Sequence, residues 1–121
     1  MKVNFVSVGA ACAALGVVLG AFGAHALHGT VDAAGLALWE TATRYWFVGA
    51  LGMLGFGLFQ RQRESSPVPG FLLLLGSTLF SLSLYALALG APRVLGAVTP
   101  FGGLGLIAGF FSFAWAARTR G

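Results

Sequence analysis

Charge is nearly absent from this chain. Seven lysines and arginines and three acidic residues stand among 121, or 8% charged. A soluble domain carries ~25% charged residues and needs polar faces to meet water. That architecture is excluded. Thiol chemistry is scarce as well: Cys12 is the only cysteine, so neither an internal disulfide nor a thiolate metal cage can form. It sits among Ala and Gly, where a small buried thiol is the ordinary reading. Catalysis lacks its parts. No Ser or Cys nucleophile sits beside an evident base, and Asp32 and Glu40 lie too near the surface to make a buried acid/base pair. No catalytic residue is nominated. No phosphate-loop or dinucleotide fingerprint occurs, because no strand precedes any of the glycines. The net charge of +4 is spread over the whole chain, without the basic stripe that nucleic acid requires.

What fills the space is apolar. Hydrophobic residues make up 58% of the chain, and the mean hydropathy is +0.89. They gather in runs at residues 3–24, 46–59, 71–89 and 98–117. About 20 apolar residues in a helix cross the ~30 Å hydrocarbon core of a bilayer. The second run is too short alone, and residues 41–45 extend it. The expected fold class is an all-α integral membrane protein of one domain, 1–121. It has four transmembrane helices in a Gly-rich antiparallel bundle, with spans near 3–24, 42–60, 70–89 and 98–117. A short amphipathic helix is expected between the first and second spans.

Local signals refine this picture. Gly16 with Gly20, and Gly105 with Gly109, form small-xxx-small pairs that let helix backbones approach. Thr30 reads as an N-cap, with Asp32 in the first turn of the amphipathic helix over 31–43. Glu40 and Arg44 are spaced to pair along a helix face. Ser77, Ser81 and Tyr85, spaced by four, share one face of the third span. Thr99-Pro100 suits an N-cap followed by proline at the first helical position. Residues 60–70 form the one clear polar loop.

Orientation follows from the basic residues. With four spans, Lys2, Arg61, Arg63, Arg118 and Arg120 fall on one side, and only Arg44 and Arg93 on the other. Cytoplasmic loops carry the excess of Lys and Arg, so both termini are expected in the cytoplasm. The expected compartment is the plasma (inner) membrane of a bacterium, with multiple passes. Lys2 and the Ala24-His25-Ala26 triplet resemble a cleavable signal, but the apolar run is longer than the 7–15 residues of a signal core. The first span is expected to stay.

The same topology puts most polar residues in the outer half. His25, His28, Glu40 and Arg44 lie there, as do Tyr45, Ser81, Tyr85 and Thr99. Polar groups at membrane depth are costly unless they meet each other or water, and one shared outer pocket would satisfy most of them. These eight are the candidate ligand-binding residues. Each also has a plainer reading: His25 as a helix-end hydrogen bonder, Glu40 with Arg44 as an interfacial pair, the serine stripe as helix packing. Two histidines three apart, without further ligands, do not make a metal or haem site. No metal and no cofactor is expected.

Four stretches carry a resemblance: Gly20-Ala-Phe-Gly-Ala-His25-Ala-Leu27, Thr41-Ala-Thr-Arg44-Tyr45, Phe80-Ser-Leu-Ser-Leu-Tyr85 and Leu95-Gly-Ala-Val-Thr99-Pro100-Phe-Gly-Gly103. Together they resemble the small membrane proteins of the transmembrane protein 256 family, also called domain of unknown function 423. The resemblance implies a four-helix membrane protein and brings no established biochemical activity. Its members usually carry a histidine where this chain has Gly49, and often a glycine where it has Leu82. Any two-histidine chemistry would lack one half here.

Two functional classes remain. One is a structural or accessory component of a membrane assembly, with the lipid bilayer and either further copies or a larger complex as partners. The other is an oligomeric small-solute transporter, channel or ligand-binding protein using the outer pocket. A redox carrier built on His25 and His28 is a third and weaker possibility.

Overall fold

A computed structural model describes residues 2–118. It contains α1 (Phe5–His25), α2 (Ala33–Gln62), α3 (Val68–Ala88), a 3-10 helix (Arg93–Ala97) and α4 (Thr99–Ala117). Among the described residues there is no strand. Among the described residues, three segments are long and apolar enough to cross a membrane. They are α1 at mean hydropathy 2.2, α3 at 1.9, and Arg93–Ala117 at 1.8.

The short amphipathic helix does not exist as a separate element. α2 runs unbroken for 30 residues, about 45 Å at 1.5 Å per residue. Nothing between Thr43 and Trp46 interrupts it, and Trp39, Thr43, Trp46, Ala50, Met53 and Phe56 keep one buried face in helical register throughout. Its first turns are packed between helices, with Trp39 bonded to α1 and Thr43 to α3. The cap moves too. Asp32, not Thr30, is the N-cap, its carboxylate accepting from Gly35 N at 2.8 Å. Thr30 instead closes the preceding turn, its hydroxyl donating to Ala26 O. Thr99 is likewise no cap. Val98 holds that place, and Thr99 already belongs to α4.

α2 and α3 form the central pair, each burying ten residues. α1 packs on α2, and α4 packs mainly on α3. One apolar cluster, around Leu27, Trp39, Ala42, Leu84 and Tyr85, closes the end near the α1–α2 loop. Another, around Phe5, Met53, Phe56, Leu73 and Leu106, closes the opposite end.

Between them the helices meet at glycines. A Cβ at Gly9 would stand 2.6 Å from Ala50 O and from Leu54 N. Gly16 faces Trp46 and Phe47, and Gly23 faces Trp39. The contact line of α1 thus repeats every seven residues, and Gly20 of the expected pair merely neighbours Thr43 at 3.6 Å. On α4, Gly102, Gly105 and Gly109 lie against Phe80, Gly76 and Leu73. Of the basic residues counted for orientation, Lys2, Arg61, Arg63 and Arg118 are exposed, and Arg120 lies outside the described residues.

Candidate functional site

The polar residues of the helix interior form a ladder of hydrogen bonds. On α2, the Thr43 hydroxyl donates to Trp39 O at 3.0 Å. A hydroxyl has one proton, so the 2.6 Å contact between Thr43 and Tyr85 is a bond donated by the phenol. The Tyr85 ring rests against Trp39, with centroids 4.2 Å apart. One turn away, Ser81 donates to Ala42 O at 2.7 Å, a side-chain bond across to the backbone of α2. Ser77 turns back to Leu73 O at 2.7 Å. By the same proton count, Thr99 donates to Ser83, whose own hydroxyl is bonded to Phe80 O, and this joins α4 to α3.

Two tryptophans complete the ladder on the α1 side. Trp39 Nε1 donates to Leu19 O at 2.8 Å, and Trp46 Nε1 to Cys12 O at 2.7 Å. Both carbonyls are one turn before a glycine, Gly23 and Gly16. A side chain there would meet the indole; without one, the carbonyl is open to a second donor. The sequence reading gave neither tryptophan a hydrogen-bonding role. The signal was present: indole N–H groups seven apart on α2, and glycines seven apart on α1. An indole N–H in an apolar environment has to find an acceptor.

The expected outer-half residues separate into three groups. Ser81 and Tyr85 are buried and belong to the ladder, and Thr99 is half-buried beside Ser83. His28 and Glu40 are exposed and line a groove of about 200 Å³ together with Gly20, Gly23, Trp39 and Thr43. His25, Arg44 and Tyr45 are exposed and outside that groove, with Tyr45 stacked edge-on against Phe80 at 4.9 Å. One shared pocket is therefore not formed. Trp39 and Thr43 separate the groove from Tyr85. No group of three or more potential metal ligands occurs among the described residues.

The Gly49 departure has a structural counterpart. A Cβ at Gly49 would collide with the Ser77 side chain, standing 2.7 Å from its Oγ. In this chain the position is where α2 and α3 touch, and it has no room for an imidazole.

A family model described as a protein of unknown function, DUF423, matches residues 19–103. The chain belongs to the DUF423 family. A UPF0382 membrane protein of Staphylococcus haemolyticus is 42% identical over 107 residues, covering 88% of each chain. The UPF0382 membrane protein YwdK of Bacillus subtilis is 40% identical over 110 residues, covering 88% of this chain and 89% of its own. The UPF0382 inner membrane protein YgdD of Escherichia coli is 40% identical over 96 residues, covering 78% and 73%. No solved structure matches the chain. The apolar helices and these relatives agree: this DUF423 chain is a helical membrane protein of a family whose biochemical activity is not established.

Proposed function

We propose that this DUF423 protein is a structural or accessory component of a membrane assembly, built as an antiparallel bundle of four spans with both termini in the cytoplasm. One observation carries the reading. Among the described residues, every buried side-chain nitrogen and oxygen has a hydrogen-bond partner inside the chain. The polar interior is satisfied within and between helices, and it offers no unpaired group to a passing solute.

α2 serves as the fourth span. It pairs with α1 from Gly57 beside Phe5 to Trp39 beside Gly23, so it crosses wherever α1 crosses. That order of partners supports the antiparallel arrangement, and the excess of basic residues at the Lys2 end supports the orientation. The exposed faces differ in a way that suits an assembly. α1 presents Ala10, Ala11, Ala14 and Ala21 interspersed with Leu15, Val17, Val18 and Phe22, whereas α4 presents Phe101, Leu104, Ile107, Phe111 and Trp115. Small residues favour close approach of a partner helix in lipid, where apolar area alone gives no drive.

Cross-linking in native membranes tests this. In a Cys12→Ala background, Ala14→Cys is expected to trap a higher-mass species and Leu104→Cys is not. A strictly monomeric protein, with no cross-linked partner from either position, would sink the proposal. A second reading rests on the groove beside His28 and Glu40, which suits a small polar solute. Proteoliposome flux unchanged by His28→Ala and Glu40→Ala would remove it.

A further inference from the structure

A second cavity lies at the other end of the molecule from the Trp39 cluster, and the ladder of hydrogen bonds takes no part in it. It is a groove of about 700 Å³ between the residues preceding α1, the last turn of α2 and the loop before α3. Its composition is graded. Lys2, Asn4, Gln60, Arg61 and Ser66 form polar walls, with Glu64 as the one acidic member. Val3, Phe5, Gly57 and Phe71 form an apolar floor. Lys2 and Arg61 come from segments far apart in sequence, and the two cations against one carboxylate leave the groove net positive.

The depth of this groove follows from the helices that build it. It lies at the first turn of α1 and the first turns of α3, which are segments able to cross a membrane. The walls are therefore at the level of lipid headgroups and the floor at the level where acyl chains begin. Phe71 is 39% exposed, so the apolar floor continues onto the outer surface of α3. A free inorganic anion has no use for such a floor, whereas a lipid matches both parts.

We propose that this groove binds one anionic phospholipid, with Lys2 and Arg61 holding the headgroup phosphate and an acyl chain descending along Phe71. Arginine and lysine differ in what they give: the guanidinium offers paired donors to two phosphate oxygens, and the ammonium a compact charge. The groove volume lies within the range of small-molecule sites, which suits a headgroup with its glycerol.

The structure supplies its own control. Arg63 lies two residues from Arg61 but does not line the groove. Its guanidinium sits over the Phe59 ring instead, 5.6 Å from the centroid. Loss of Arg63 removes the same charge from the same membrane face. Native mass spectrometry of the purified full-length protein, titrated with phosphatidylglycerol, phosphatidylcholine or inorganic phosphate, reads the difference.

Phosphatidylglycerol is expected to bind the wild type, with about fivefold loss of affinity for Lys2→Gln and for Arg61→Gln. Arg63→Gln should bind like the wild type, and phosphatidylcholine should stay at background. Equal loss in Arg63→Gln and Arg61→Gln would overturn the proposal, because general surface charge would then explain the binding. So would equal retention of phosphatidylcholine. Displacement of phosphatidylglycerol by equimolar inorganic phosphate would make this a phosphate site without a lipid. All three substituted side chains are exposed, so folding should survive, and an unchanged circular dichroism spectrum checks it.

Discussion

Gly20 and Gly23 stand three residues apart on α1 and should respond to the same substitution with opposite signs. A Cβ at Gly20 would lie 3.6 Å from Thr43 Cγ2, an ordinary contact. A Cβ at Gly23 would lie 2.6 Å from Trp39 Nε1 and 3.3 Å from Cγ, and would collide outright with Cδ1. Glycine in a helix interior costs up to about 1 kcal/mol against alanine. Gly20→Ala is therefore expected to be neutral or to stabilise by up to that amount.

Gly23→Ala has to move the indole, which is held by Leu19 O at 2.8 Å and by the Tyr85 ring. Overpacking of a filled core costs typically ~1–3 kcal/mol. Hydrogen bonds between membrane helices average ~0.6 kcal/mol. Together these outweigh the helix-propensity gain and leave Gly23→Ala destabilised by roughly 1–3 kcal/mol. Trp39→Ala in the same chain removes both colliding atoms, Cδ1 and Nε1. The Gly23→Ala penalty should then shrink, giving a coupling energy of about 0.5–3 kcal/mol. Unfolding by dodecyl sulfate in mixed micelles, followed by near-ultraviolet circular dichroism, measures all four states of the cycle. A Gly23→Ala protein as stable as Gly20→Ala, or a penalty indifferent to residue 39, would refute the steric argument.

Three further outcomes are expected. Tyr85→Phe removes the phenol that donates to Thr43, while the Thr43 bond to Trp39 O remains. The same titration should show a loss of about 0.6 kcal/mol, and no loss would mean the 2.6 Å contact is not a stabilising bond. Gly49→His restores the residue type that the family resemblance implies, yet it drives a side chain into Ser77. It should destabilise by about 2 kcal/mol or more, with partial rescue by Ser77→Gly; unaltered stability would show that α2 and α3 separate easily. In a Cys12→Ala background, an impermeant maleimide should label Val94→Cys in intact cells and Ser65→Cys only after permeabilisation. The reverse pattern would invert the orientation.

Much of the fold was legible because apolar run length is a direct consequence of bilayer thickness. α1 and α3 begin and end close to where their runs do. The four-residue spacing of Ser77, Ser81 and Tyr85 also transferred, since all three are buried on one face toward α2. α2 was harder. Glu40 and Arg44 lower the hydropathy of its first turns and imitate a surface helix; both are exposed, while Trp39, Thr43 and Trp46 beside them are buried. Topology could place the polar residues at a common depth but not at a common azimuth. His25, Arg44 and Tyr45 are exposed, whereas Tyr85 is buried. The acceptors of the two indoles were unreadable for another reason: a backbone carbonyl carries no residue signature, and only the helix pairing shows which one is open.

The seven-residue recurrence of Gly9, Gly16 and Gly23 against α2 has a consequence for the handedness of the bundle. A straight α-helix turns through 3.6 residues, so positions seven apart drift by about 20° around the axis with each repeat. Over two repeats a parallel pair of rods would lose contact at one end. Contact is kept only if the two helices wind around each other in the left-handed sense, crossing at about 20°. The glycines of α1 thus specify the direction in which it leans across the bilayer as well as how near it lies to α2.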